Sequence, residues 1–215
     1  MRNYDDFRFN NGANSWRRKL AGIFGASSGK AANVTQIIIV VTIAFYLLTM
    51  VFKWVYLDLL FYPPLAFIEP WRFLTSALLH ADFMHIFFNL YSLWLLGSVV
   101  EPIFGKFKFA GLYLFSAIIG SFFVYGYALL FGQMQIALVG ASGAIFGLFG
   151  AMLILTRHVK GNSTGIMILL GINLLIGLLN PQISWQAHLG GFLGGAFYTW
   201  CLLELKMLQR NARNY

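Results

Sequence analysis

Residues 138–155 read LVGASGAIFGLFGAMLIL. The stretch carries no charged side chain, and its length falls within the roughly 17–25 residues a helix needs to cross a bilayer. Five further apolar runs flank it, at 35–55, 83–100, 109–131, 164–179 and 185–205, of which 164–179 is the shortest. Together they predict an all-α, polytopic membrane protein with six transmembrane helices. Residues 56–81 are rich in aromatics but broken by Pro63, Pro64 and Pro70, and also hold Asp58, Glu69 and Arg72. That segment is too interrupted to span and too apolar to float free. It is placed at the membrane surface, where Tyr and Trp favour the headgroup level.

Composition agrees. Of the 215 residues, 59% are hydrophobic and 10% charged, against about 45–50% and about 25% in soluble domains; the mean hydropathy is +0.72. The net charge of +8 does not point to nucleic acid, because the cations lie in tails and short loops between apolar runs. The single cysteine, Cys201, excludes an intrachain disulfide and leaves the redox compartment unread. No secretory signal is expected, since the first apolar run is too long for one.

Lys and Arg set the direction of the spans. Arg2, Arg8, Arg17, Arg18, Lys19 and Lys30 precede the first run, Lys106 and Lys108 follow the second, Arg157 and Lys160 the fourth, and Lys206, Arg210 and Arg213 the sixth. With six spans these segments share one side, and only Lys53 and Arg72 fall toward the other. Both termini are therefore expected in the cytoplasm. The chain divides into a basic, disordered N-terminal tail (1–34), a six-helix domain (35–205) and a C-terminal tail (206–215). Residues 16–24 can form a short basic amphipathic helix on the anionic leaflet; a solvated tail serving topology is the plainer reading.

Polar groups inside spans are costly and point to function. Span two carries His85 and Asn89, four apart and so on one helix face. Span four opens with Gly140-Ala141-Ser142-Gly143, and span six carries His188 with Gly190, Gly191, Gly194 and Gly195 after it. All three spans run from outside to inside. His85, Asn89, Ser142 (expected about four residues into its helix) and His188 then share a depth of roughly 5–10 Å below the outer boundary. A Ser and a His at one depth can form a nucleophile and its general base. Asn89, His85 and the Ser142 backbone N–H can supply donors to an oxyanion. Each residue also has a plainer reading. A serine in a span bonds back to its own helix; a histidine or asparagine can be a polar contact between helices. The glycines read as packing surfaces: Gly143-x-x-x-Gly147 and Gly191-x-x-x-Gly195 let two backbones approach closely.

At these residues the sequence resembles the rhomboid family of intramembrane serine proteases. The family's Gly-x-Ser-Gly motif corresponds to Gly140-Ala141-Ser142-Gly143, and its Ala-His-x-x-Gly-x-x-x-Gly motif to Ala187, His188, Gly191 and Gly195. Two histidines and an asparagine stand at His80, His85 and Asn89. The Trp-Arg pair of its first loop stands at Trp71-Arg72, and its Glu-x-x-x-Gly turn at Glu101 and Gly105. The resemblance covers about residues 35–205. It implies that Ser142 attacks, that His188 is the base without a third acidic member, and that His85 and Asn89 help form the oxyanion hole. It also implies a membrane-embedded first loop, lying partly in the outer leaflet around Trp71-Arg72, and that span five and the loop before span six act as lateral gate and cap. Where some relatives carry Tyr one turn after the nucleophile, this chain has Phe146, which can pack on His188 but not hydrogen-bond.

Other routes to intramembrane proteolysis are missing from the sequence. There is no His-Glu-x-x-His helix for zinc, Asp82 is a lone carboxylate at the boundary where an aspartyl protease needs two, and Lys53 is the sole candidate for a Ser–Lys pair. A metal site of His80, His85 and His188 lacks a carboxylate or thiolate, so no metal and no cofactor is expected. The rivals are a non-catalytic rhomboid-like protein that binds or escorts membrane helices, and a transporter or channel. The transporter reading is disfavoured because no repeat is seen and the polar residues crowd toward one face. Expected partners are the lipid bilayer and single-span membrane protein substrates, with no nucleic acid. A membrane helix hides its carbonyls in its own hydrogen bonds, so a substrate must unwind locally, near the outer end of its span and beside Gly or Pro. The small six-span form resembles bacterial members, which places it in the bacterial cytoplasmic (inner) membrane.

Reporter fusions at Asn180 and at the C-terminus should report opposite sides of the membrane; the same side for both would overturn the six-span topology.

Overall fold

The computed structural model describes residues 33–179 and 183–212. The expected disordered tail and its amphipathic segment lie outside them. Helices α1 (Val34–Val51), α4 (Phe83–Phe104), α5 (Lys106–Phe131), α6 (Ser142–His158), α7 (Thr164–Leu179) and α8 (Trp185–Ala212) are the six long elements. Between α1 and α4 lie two short helices, α2 (Lys53–Leu59) and α3 (Arg72–Thr75), and 3-10 turns at Pro63–Leu65 and Ser76–Leu78. The chain is an all-helical, multi-pass membrane protein. Helices α1, α4 and α5 are each long and apolar enough to cross alone. Helix α6, with 17 residues, and α7, with 16, are shorter.

Lipid inverts the usual amphipathic rule. The buried residues of α1 are Thr35, Thr42 and Thr49, seven apart, while Val40, Leu47 and Met50 face outward. Small polar side chains let helices approach, and hydrocarbon accepts the large apolar ones. At one such contact, a Cβ added to Gly97 of α4 would lie 2.4 Å from Thr35 Oγ1.

The start of α1 is held by α4. The buried Glu101 carboxylate accepts the Val34 N–H at 2.6 Å, the Thr35 N–H at 2.9 Å and the Thr35 hydroxyl at 2.6 Å. First-turn N–H groups have no partner within their helix, and a negative charge there also meets the positive end of the helix dipole. Gly105, at φ 75°, then turns the chain into α5, its N–H donating to the Glu101 carbonyl.

The first loop is ordered by hydrogen bonds and backbone pairing across it. Arg72, buried, donates to the Glu69 carboxylate and at 2.7 Å to the carbonyls of Leu57 and Leu60. Trp71 Nε1 donates to the Asp58 carbonyl. Phe61 pairs through both backbone groups with Leu138.

The densest packing joins α6 to α8. A Cβ added to Gly191 would sit 1.9 Å from the Gly143 carbonyl oxygen, and one on Gly195 would sit 2.0 Å from that of Gly147. Helix α5 closes on the pair, with Gly120 against the Ala187 carbonyl and Ser116 filling the space beside Gly147. Helix α7 leans only lightly on this group and exposes Met167, Ile168, Ile172 and Leu175.

Several boundaries differ from the sequence reading: the run 83–100 continues to Phe104 and the run 109–131 starts at Lys106. The run 35–55 is broken at Phe52 (φ −116°, ψ 89°), so α2 starts anew. The run 138–155 is not one helix: Leu138 is apolar because it is buried in extended backbone against Phe61, and α6 starts at Ser142. Ser142 is thus the first residue of its helix, not the fifth. At the C-terminus, α8 continues through Lys206 to Ala212 instead of ending in a loose tail.

Gly195→Ala should lower stability in detergent by about 1–3 kcal/mol, the cost of overpacking. Gly126→Ala, with nothing within 4 Å of its added Cβ, should leave the melting temperature unchanged or raised. Equal melting temperatures for both variants would contradict the backbone contact.

Candidate active site

Ser142 opens α6 from a sharp turn. Gly140 has φ 120°, a region that L side chains rarely adopt, and its N–H donates to the Ser76 carbonyl at 2.9 Å. The Ala141 N–H points to His80 Nε2 at 3.4 Å. Burial, and His85 beside it, push the His80 imidazole down from its ordinary value of 6.5 to about 3. His80 is therefore neutral and able to accept. The N–H groups of Ser142 and its neighbours begin a helix without intrahelical acceptors, at the positive end of its dipole.

His188 lies in the first turn of α8, where its N–H and that of Ala187 are held by the Ser184 carbonyl and hydroxyl. The ring is buried and stacks face to face on Phe146, with centroids 4.0 Å apart and planes 10° apart. Phe146 stands one turn after Ser142, so the stack brings the imidazole to the helix that Ser142 opens. His188 Nδ1 is buried without a partner, and among the described residues no hydrogen bond joins Ser142 Oγ to His188.

On the other side, the Asp82 carboxylate caps α4 by accepting the His85 N–H at 2.8 Å. His85 and His80 meet edge to face at 4.9 Å. A Cβ on Gly140 would lie 2.7 Å from His85 Nε2 and 3.8 Å from Ser142 Oγ, so the imidazole and the hydroxyl flank the same point. Asn89 is buried, and its amide donates one N–H to the His85 carbonyl at 2.8 Å. That bond stays within α4 rather than crossing to another helix, and it leaves a second amide N–H. Among the described residues, no three His, Cys, Asp or Glu side chains are grouped to hold a metal ion.

Ser142, His188, Phe146, His85, His80 and Gly140 are thus gathered at one place, with Asn89 a turn below His85. Gly143, Gly191 and Gly195 form the seam beneath. Trp71 and Arg72 hold the embedded loop together, and Glu101 lies about 24 Å along α4 from His85, where it caps α1.

A rhomboid-domain family model matches residues 68–205, from the embedded loop to the body of α8. The chain belongs to the rhomboid family. This rhomboid is 37% identical over 152 residues to the rhomboid protein YdcA of Bacillus subtilis, covering 68% of this chain and 72% of YdcA. It is 36% identical over 134 residues to the rhomboid protease GluP of the same organism, covering 60% of this chain but 25% of GluP. It is also 38% identical over 149 residues to the inactive RHOMBOID-like protein 8 of Arabidopsis thaliana, covering 66% of this chain and 41% of that one. Overall identity therefore does not separate active from inactive members; the residues at the site must. The matched region leaves out α1, which this rhomboid attaches through Glu101 and the threonine stripe.

Ser76, Ser116, Gly120 and Ser121 border this centre, and none stood out in the sequence. Ser116-x-x-x-Gly120 is a small-residue pair at helical spacing, a usable signal for the α5 face. Nothing in the sequence marks the Ser76 carbonyl, which acts through its backbone.

Gly140→Ala should leave the bundle folded but slow labelling by a fluorophosphonate probe. The positive φ alone costs roughly 1–3 kcal/mol, and the added methyl would displace His85. A wild-type labelling rate would show that the Gly140 turn is not needed.

Proposed function

We propose that this rhomboid is an intramembrane serine endopeptidase in which Ser142 is the nucleophile and His188 its general base. The observation that carries this reading is the His188–Phe146 stack one turn from Ser142, on helices in backbone contact. Ser142 Oγ attacks the scissile carbonyl carbon, the new C–O bond forms, and the hydroxyl proton passes to His188. The carbonyl electron pair becomes an oxyanion, met by the Ser142 N–H, His85 Nε2 and the remaining Asn89 N–H. Collapse breaks the C–N bond, His188 returns the proton to the leaving amine, and an acyl-enzyme remains. Water, deprotonated by the same histidine, releases the acyl group. The Ser–His hydrogen bond forms as the site fills, since such bonds often tighten only in the complex. No metal or cofactor takes part.

The functional unit is residues 35–205. Both termini lie in the cytoplasm, and the site opens toward the outer face of a bacterial cytoplasmic membrane. Substrates are single-span membrane proteins cut near the outer end of the span, beside helix-weakening Gly or Pro. The light packing of α7 supports a lateral entrance on that side. The alternative, a non-catalytic rhomboid-like protein that binds or escorts membrane helices, has a precedent in the inactive relative.

A fluorophosphonate probe separates the two readings: it should label the wild type and not Ser142→Ala. Ser142→Ala and His188→Ala should each lower cleavage of a model transmembrane substrate by several orders of magnitude, and by similar amounts, because nucleophile and base act as a unit. Chelator should have no effect. Asn89→Ala should cut turnover by less than the roughly 100–1,000-fold lost with a sole oxyanion donor. Wild-type cleavage by Ser142→Ala would sink the proposal, and a pure binding defect in Asn89→Ala would remove that residue from the oxyanion hole.

A further inference from the structure

We propose that Ser121 is a positioning residue for the nucleophile turn, acting through the embedded loop without touching substrate; this rests on the reading of Ser142 as nucleophile. A serine inside a membrane helix normally bonds to a carbonyl of its own helix. Ser116 and Thr199 do so here, to Leu112 and Gly195. Ser121, almost completely buried on α5, instead donates across to the Phe73 carbonyl at 2.9 Å. Phe73 is fixed from the same helix a second time, its ring stacked on Phe122 at 4.3 Å and 23°.

Phe73 belongs to α3, which runs without a break into the 3-10 turn Ser76–Leu78. A helix of 4 residues cannot satisfy its own last carbonyls, so an outside donor matters there. The Ser76 carbonyl, three residues on, receives the Gly140 N–H at 2.9 Å. Gly140 is two residues before Ser142 and sits at the strained turn that aims the first N–H groups of α6. Ser121, the α3 unit, Gly140 and Ser142 therefore form one chain of contacts. Ser76, Ser121, Gly140 and Gly143 also line one small crevice of only about 10 Å³. Around so small a void, a shift of one wall moves the next, since close-packed interiors transmit strain. The Ser121 hydroxyl thus sets where the oxyanion donors point. That influence acts on the chemical step, not on docking of the substrate helix.

The test uses full-length protein in proteoliposomes, with kcat and KM for a transmembrane substrate, the fluorophosphonate labelling rate and the melting temperature. Ser121→Ala should lower kcat and the labelling rate by roughly tenfold, the scale of one buried hydrogen bond, with KM within about twofold of wild type. Thr199→Ala removes another buried hydroxyl, from α8 and well away from the site, and serves as the structural control: it should lower the melting temperature yet keep kcat within about twofold. A Ser121→Ala enzyme with wild-type kcat, or one altered in KM alone, overturns the inference. So does an equal loss of kcat in Thr199→Ala. If Ser121→Ala does not fold, the near-isosteric Ser121→Cys carries the same comparison, and its kcat must fall while its melting temperature holds. A wild type that neither labels nor cleaves would instead bring down the protease reading itself.

Discussion

The approach of α6 to α8 is the constraint on which the rest depends. Gly191 lies against the carbonyl of Gly143 and Gly195 against that of Gly147, at separations no side chain would allow. In lipid, little hydrophobic force draws apolar helices together, so close van der Waals contact must do it. Once the two backbones touch, Ser142 and His188, each in the first turn of its helix, are neighbours by construction. Phe146 then needs only to lie flat to hold the imidazole. Helix α5 presses small residues, Ser116 and Gly120, into the same seam from a third side.

Around that seam, buried charges are used for joining rather than for chemistry. Glu101 turns its carboxylate on the exposed N–H groups of α1, and Arg72 gathers the carbonyls of a loop that has few regular hydrogen bonds of its own. Unpaired charges at such depth are expensive, and each of these two is satisfied by several partners. Both tether segments that are far apart in sequence, α1 to α4 and the two halves of the embedded loop.

Much of this was legible because lipid imposes composition. The six apolar runs correspond to six helices, since a bilayer admits no other open backbone. The glycine pairs pointed to the α6–α8 contact because only glycine permits it. What failed to show had a common cause: hydropathy does not distinguish helix from buried extended chain. Leu138 and Val139 read as helix, yet they lead into a turn, so Ser142 was placed a full turn too deep. The break at Phe52 is hidden for the same reason. Long-range backbone partners, such as the Ser76 carbonyl for Gly140 or the Phe73 carbonyl for Ser121, leave no trace in side-chain identity. The role of Glu101 was visible only as part of a turn, because its partners lie 66 and 67 positions away.

The glycine seam has a consequence for how the bundle can rearrange. A contact made by side chains can slip, because rotamers exchange on fast timescales at modest cost. A carbonyl oxygen set against a Cα has no rotamer to exchange and loses its whole contact if it moves. Helices α6 and α8 therefore behave as a single inelastic piece. Any breathing of the molecule is left to elements seated on adaptable side chains, as α7 is, with its large aliphatic residues mostly exposed.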